Sequence, residues 1–223
     1  MTDPGKAENF GSAAKEARAA VESGENTRDA MRNITLSALR SGQLDAERIT
    51  RVVHSVMQGA TLGVGDAGEK SRLALKEAMA GIDDALAKSA EATRLAIEEA
   101  AGRLHDLGKR DLERSFNNLQ VLESMFLDTL KDVAENSAGA AREIMHGLLR
   151  HARDSGTAAG ATARTAVSAL EQKLGRTLRE VAAAGTDAAL STGSNLAEAA
   201  SGFLSGIAEA LDSKAKSMRG DKK

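Results

Sequence analysis

The stretch from Leu75 to Leu86 reads LKEAMAGIDDAL, and its large apolar side chains stand four, three and four residues apart. The same 11-residue rhythm continues to Met218. Because three turns of an α-helix take about 10.8 residues, this repeat keeps one apolar stripe on one side of a long helical surface. The larger members of the stripe form the predicted helix-packing seam: Leu75, Met79, Ile82, Leu86, Ile97, Leu104, Leu112, Leu119, Phe126, Leu130, Met145, Leu148, Val167, Leu170, Leu174, Leu178, Val181, Leu196, Phe203, Ile207 and Leu211.

Charged residues are nearly absent from this stripe. The repeat meets only Glu123 and Lys214, although 28% of the chain is charged, and at Glu123 the neighbouring Leu122 can fill the seam. A seven-residue repeat from the same start places Arg103 and Asp128 on the stripe, so an ordinary left-handed coiled coil does not fit. The sequence therefore predicts an all-α fold of long antiparallel helices, a coiled-coil-like bundle with 11-residue periodicity.

The composition excludes several classes of protein. Four Phe are the only aromatic residues, and Ala supplies much of the apolar content, which suits helices that lie close together better than a globular core of large side chains. A net charge of −2 offers no basic surface, so no nucleic acid is expected as a partner. The sequence has no Cys, which fits a reducing compartment.

The N-terminus lacks the basic start and apolar run of a secretory signal. The longest uncharged run, about 54–65, is shorter than the roughly 18 residues that a membrane-spanning helix requires. We therefore expect a cytoplasmic protein, either free or peripheral on an inclusion or membrane surface.

The chain divides by pattern into four parts. Residues 1–25 predict a flexible or weakly helical N-terminus, and residues 26–62 predict a small helical hairpin. Residues 66–218 carry the 11-residue repeat, and residues 219–223 form a basic tail. The long region is expected to fold back on itself at candidate bends: Gly108, 136–139, 155–160 and Gly185.

Local signals place the ends of the hairpin. Asn26 or Thr27 suits a helix N-cap, Gly42 a helix end, and Asp45 the N-cap of the second helix. A group of glycines then predicts a joint before the long region: Gly59, Gly63, Gly65 and Gly68.

Two patterns could carry chemistry, and neither favours an enzyme. Residues 63–68 match G-x-G-x-x-G and precede Lys70, but a predicted helix stands where a phosphate-binding loop needs a strand. His146 and His151 are five residues apart, which does not place them on one helical face. We therefore expect no catalytic residues, no cofactor and no metal site.

Residues 37–45, SALRSGQLD, and residues 200–208, ASGFLSGIA, resemble an uncharacterised proteobacterial helical family, a domain of unknown function. This resemblance implies a helical fold over most of the chain and supplies no catalytic residues. In type, a small Cys-free, Ala-rich, amphipathic chain is also similar to phasins, which coat polyester storage granules.

Two functions remain open at this point. In the first, the chain is a structural or interaction protein whose seam pairs within the chain, with a second copy in a homo-oligomer, or with another helical protein. In the second, the stripe lies on a lipid or polyester granule surface, with Phe203, Leu204 and Ile207 as the best anchors.

Overall fold

A computed structural model of the chain describes residues 4–40, 46–65, 68–102 and 109–183, with side chains for 10–40, 46–65, 68–99 and 114–173. These residues contain no strand, and the all-α prediction is confirmed. They form seven helices: α1 (Pro4–Ser23), α2 (Thr27–Arg40), α3 (Ala46–Gly63), α4 (Glu69–Gly102), α5 (Lys109–Asn136), α6 (Gly139–Ser155) and α7 (Ala158–Ala183).

The chain divides into two compact units. The first comprises Met1–Thr93 and Asn118–Ala166, and the second comprises Arg94–Asn117 and Val167–Lys223. Helices α4, α5 and α7 therefore each contribute residues to both units. The predicted boundary between a hairpin over 26–62 and a long region over 66–218 stays a prediction.

Helix α1 lies in the N-terminal part, residues 1–25, that the sequence predicts to be flexible or weakly helical. It spans 20 residues, and it buries Ala13, Ala17 and Val21. The apolar pattern of α1 is a weak signal in the sequence because these buried side chains are small. Packing against neighbouring helices supplies much of the stability of such a helix. The expected hairpin is therefore two helices of a three-helix assembly.

Helices α1 and α3 run in the same direction. The Ser55 hydroxyl donates a hydrogen bond to the Phe10 carbonyl, Gly59 lies against Ala14, and Gly63 lies against Arg18. Ser55, Gly59 and Gly63 follow one another at intervals of four residues, and so do Phe10, Ala14 and Arg18. This interval places each set on one face of its helix. Since α3 begins beside the start of α1, the intervening helix α2 runs antiparallel to both.

Arg48 ties these three helices together from inside. Its side chain is buried, its guanidinium donates a 2.6 Å hydrogen bond to the Ala38 carbonyl of α2, and it stacks over the Phe10 ring of α1. Arg51 stacks over the same ring at 5.3 Å. Guanidinium groups stack well on aromatic faces, and this explains how a charged residue is accommodated in the interior.

Two glycines allow helix backbones to approach closely. Gly59 was predicted to belong to a joint, but it lies inside α3, where a methyl group would overlap the backbone of Ala14. Gly81 of α4 meets the Arg28 carbonyl of α2 in the same way. Beside this contact, Arg28 and Asp84 form a bidentate ion pair at 2.8 and 3.0 Å. The glycines therefore serve packing here, and the joint is confined to the residues between α3 and α4.

Two of the candidate bends coincide with helix boundaries. Helix α5 ends at Asn136 and α6 begins at Gly139, and α6 ends at Ser155 before Gly156. Because Gly156 lies beside Glu123, in the middle of α5, α6 runs antiparallel to α5. Four of the predicted helix ends and bends lie outside the described residues: Gly42, Asp45, Gly108 and Gly185.

Among the described helices, none combines the length and the hydropathy that a bilayer-crossing segment requires.

Replacing Gly59 by Ala is expected to lower the free energy of unfolding by about 1–3 kcal/mol, because the added methyl group has no space against α1. The matched control is Gly147→Ala in α6, where nothing lies within 4 Å. That change is expected to stabilise by up to about 1 kcal/mol, since Ala is the better helix former. Urea unfolding followed by far-UV circular dichroism measures both. Equal effects of the two substitutions would contradict the close approach of α1 and α3.

Candidate functional site

The predicted seam is the first candidate, and most of its described members lie inside the chain. Met79 and Val167 are half-buried. Ten seam side chains are buried: Leu75, Ile82, Leu86, Ile97, Leu119, Phe126, Leu130, Met145, Leu148 and Leu170. Residues of the same chain cover these side chains.

The structure describes no side chain for the other nine seam residues. Four lie in described helices without described side chains: Leu112, Leu174, Leu178 and Val181. Five lie outside the described residues: Leu104, Leu196, Phe203, Ile207 and Leu211. The 11-residue repeat as a property of the whole chain therefore stays a prediction.

Sequence reasoning missed part of the buried surface next to the seam. Phe116 and Leu149 are buried, and each follows a stripe position, Ser115 and Leu148 respectively. Leu122, expected to fill the seam beside Glu123, is also buried. The signal was available, because a helix that faces more than one neighbour carries an apolar face wider than a single stripe.

The second candidate is the start of α7, where polar groups from three helices meet. Thr157 is the N-cap, since its carbonyl accepts the 3.0 Å hydrogen bond from Ala161 N–H. Its side-chain oxygen accepts a 2.9 Å hydrogen bond from Gly160 N–H. This is the usual action of an N-cap threonine, and it satisfies one of the N–H groups that a helix start leaves without a partner inside the helix.

Carboxylates of two other helices satisfy the remaining N–H groups. Asp83 of α4 accepts hydrogen bonds of 2.8 Å from both Ala158 and Ala159 N–H. Glu123 of α5 accepts hydrogen bonds of 3.1 Å from the N–H and the hydroxyl of Thr157. The first turn of α7 is thus fully capped, and negative charge stands where the helix dipole favours it.

Glu123 replaces the glutamate of a capping box. In that motif the third residue of the helix is Glu or Gln, and its side chain accepts the N-cap N–H. Here the third residue is Gly160, and a Cβ at that position would overlap the Glu123 carboxyl group. Arg164 forms an ion pair with the same carboxylate. Glu123, the charged residue that interrupts the predicted stripe, therefore caps the start of α7.

Burial raises the pKa of Asp83 above its usual value, and this cause outweighs the hydrogen bonds from Ala159 and Ala158, which lower the pKa. The negative charges of Asp84 and Glu123 raise it further. In the second unit, Glu98 shows the opposite behaviour. Hydrogen bonds from Lys173, 3.1 Å away, and from Arg94 lower the pKa of Glu98 despite its partial desolvation. The two carboxyl groups should therefore respond oppositely to pH.

The two sequence patterns that could carry chemistry lie between α3 and α4 and on α6. Residues 63–68 join the end of α3 to the start of α4, so no strand precedes the glycines. Gly63, Val64, Gly65 and Gly68 line a groove of about 710 Å³. Its described charged residues are Glu22, Asp29, Glu77, Arg28 and Lys70, and this acidic balance does not suit phosphate.

The described histidines have different surroundings. His54 of α3 lies 3.1 Å from Asp132 of α5, beside a groove of about 560 Å³, and His146 and His151 are exposed on α6. Within the described residues, no three His, Asp or Glu side chains are grouped so that they could hold a metal ion.

Comparison with known proteins places the chain in a family. A model for a family of unknown function (DUF6781) matches residues 6–213. The chain belongs to this family. No curated protein and no solved structure matches it. The prediction of a family of unknown function is confirmed, whereas the proteobacterial lineage and the likeness to phasins stay predictions.

A double-mutant cycle tests the cap geometry. In the native background, Gly160→Ala is expected to destabilise by about 1–3 kcal/mol, because the methyl group displaces Glu123. In a Glu123→Ala background the space is free, so the same substitution is expected to stabilise by up to about 1 kcal/mol through helix propensity. Chemical unfolding of the four proteins measures the coupling. Additive effects would mean that Gly160 and Glu123 do not share this space.

The pH dependence of stability separates Asp83 from Glu98. Because the folded-state pKa of Asp83 is raised from 3.8, its contribution to stability is fully present below that value and is lost as pH rises through the folded pKa. The stability of the native chain relative to Asp83→Asn should therefore fall as pH rises from acidic to neutral. Glu98 has a lowered folded pKa, so its contribution is present above the unfolded value of 4.5 and is lost on acidification.

The stability of the native chain relative to Glu98→Gln should accordingly rise over the same pH range. Urea unfolding at a series of acidic and neutral pH values measures both differences. The same sign of slope for the two variants would contradict the assignment of burial to Asp83 and of ion pairing to Glu98.

Proposed function

We propose that this chain is a non-enzymatic helical structural protein that acts as a scaffold and assembles through its amphipathic stripe. Its partner is a second copy of itself, giving a homo-oligomer, or another helical protein. The observation that carries the proposal is that charged side chains make contacts between helices of the chain. Asp83, Glu123, Arg28 and Arg48 connect one helix to another, and this is what a rigid helical scaffold requires.

The spacing of buried residues supports 11-residue packing of coiled-coil type as part of this proposal. Buried positions recur 11 residues apart on four helices: Leu75 and Leu86, Leu86 and Ile97, Leu119 and Leu130, Ala141 and Ala152, Ala159 and Leu170. An 11-residue period keeps such positions on one side of a nearly straight helix. A long helix with this property can present a matching edge to another helix.

The described part of the seam is occupied within the chain, so assembly requires other residues. In sequence, Leu196, Phe203, Ile207 and Leu211 continue the stripe beyond the described residues, and we assign the contact with the partner to them. A short basic tail follows, and no nucleic acid is expected as a partner. The absence of Cys supports a cytoplasmic location.

A phasin-like coat on polyester granules or lipid is the alternative outcome. Interfacial helices bind through a continuous face of bulky apolar residues. In the described residues, the exposed large apolar side chains are Leu62, Leu73 and Leu95, and three side chains are too few for such a face. A coat would therefore depend on the segment that contains Phe203 and Ile207, or on opening of the buried seam.

Two substitutions on the same stripe test the scaffold. Leu119→Asp places a charge in the chain's own core, so it is expected to destabilise folding by about 3 kcal/mol or more and to abolish cooperative melting. Ile207→Asp is expected to leave cooperative melting intact and to reduce the sedimenting mass to that of the monomer. His146→Ala, at an exposed position of α6, is the control and should change neither.

Sedimentation velocity of the full chain, alone and with anionic vesicles or polyester granules, completes the test. The scaffold is supported if the oligomer forms without either surface and neither surface retains it. It is excluded if the chain stays monomeric in buffer and cosediments with one of the surfaces. Cosedimentation that Ile207→Asp abolishes would instead support the coat.

A further inference from the structure

We infer that Asp83 and Glu123 form a latch for the first turns of α7, residues 158–166, and that opening this latch releases these turns while α1–α3 stay folded. This inference concerns the internal motion of one chain and does not rest on the proposed assembly. It is drawn from the small apolar face of α7, from the joint that precedes α7, and from the position of the carboxylates.

The buried apolar face of α7 at its start is unusually small. It consists of Ala159, Gly160, Ala163 and Ala166. Hydrophobic stabilisation grows with the apolar area removed from water, and Ala and Gly remove little. Polar contacts therefore carry a large share of the docking energy here. By contrast, α3 buries Val52, Val53, Val56 and Met57 completely.

The joint before α7 allows the helix to move independently of α6. Gly156 has a φ of +77°, and it is one of two residues between the helices. Helix α6 is anchored separately, because it buries Met145, Leu148 and Leu149. In addition, Arg142 donates hydrogen bonds to the carbonyls of Glu135, in the last turn of α5, and of Ser137, just past it. Rotation about Gly156 therefore moves α7 without disturbing α6.

The latch is partly exposed, so water can replace its contacts. The Glu123 side chain is 24% exposed and the Arg164 side chain 65% exposed. Asp83 is part-buried, and the charged groups around it are Asp84, paired with Arg28, and Glu123, paired with Arg164. An opened latch leaves its carboxylates and the N–H groups of α7 to water, so opening does not strand buried polar groups.

Hydrogen exchange of the full chain, measured by mass spectrometry, tests the latch. The variant Asp83→Asn/Glu123→Gln keeps the shape of both side chains and replaces one accepting oxygen of each carboxylate by an NH2 group, which cannot accept a hydrogen bond from a helix N–H. We expect exchange over residues 157–166 to accelerate by about tenfold or more, the scale of a lost helix cap. Exchange in α1–α3 should stay within about twofold of the native chain. The matched control is Asp128→Asn/Glu143→Gln, which makes the same two changes at exposed carboxylates of α5 and α6 outside the latch.

Three results would overturn the inference. Exchange over residues 157–166 could remain at the native rate, which would mean that the carboxylates do not hold the turn. Exchange could rise equally in all helices, which would mean that α7 opens only with global unfolding. The double variant could also fail to fold, since a latch is by definition dispensable for the fold of α1–α3.

A milder variant gives an independent reading of the same region. Thr157→Ala removes the hydroxyl that joins Gly160 N–H to Glu123 and leaves both carboxylates in place. Faster exchange confined to residues 157–166 supports the latch, and an unchanged rate in this variant contradicts it.

Discussion

Close approach of helix backbones is the condition on which this structure depends. The chain has four Phe and no Trp or Tyr, so it cannot fill wide gaps between helices with large side chains. Packing at normal interior density then requires the helices to come together until small residues touch. Gly59 and Gly81 mark the places where even a methyl group is too large. Alanine-rich composition and narrow helix spacing are two aspects of the same solution.

Closely spaced helices leave their ends to be satisfied by neighbours. The start of α7 is capped by its own Thr157 and by carboxylates 34 and 75 residues or more away in sequence. A local capping box needs Glu or Gln where the chain has Gly160, and a larger residue there would exclude Glu123. The same glycine thus permits close packing and a cap supplied by another helix.

The sequence predicted what local periodicity controls. Stripe positions such as Ile82, Leu119 and Phe126 predict helices because their spacing follows the helical turn. The glycines near 136–139 and 155–160 predict the helix ends there. The sequence did not predict the packing of α1 or the position of Gly59 inside a helix, because both depend on a neighbour distant in sequence. Glu123 looked like an exception to the stripe for the same reason.

The adjacent residues Asp83 and Asp84 have a consequence for the rotational setting of α4. Successive residues of an α-helix point about 100° apart, and these two aspartates reach different neighbours, α7 and α2. A smooth alanine-lined surface would let α4 turn about its axis at little energetic expense. A rotation of α4 by one residue position would misalign both carboxylates at once. The two aspartates therefore fix the rotation of α4 about its own axis.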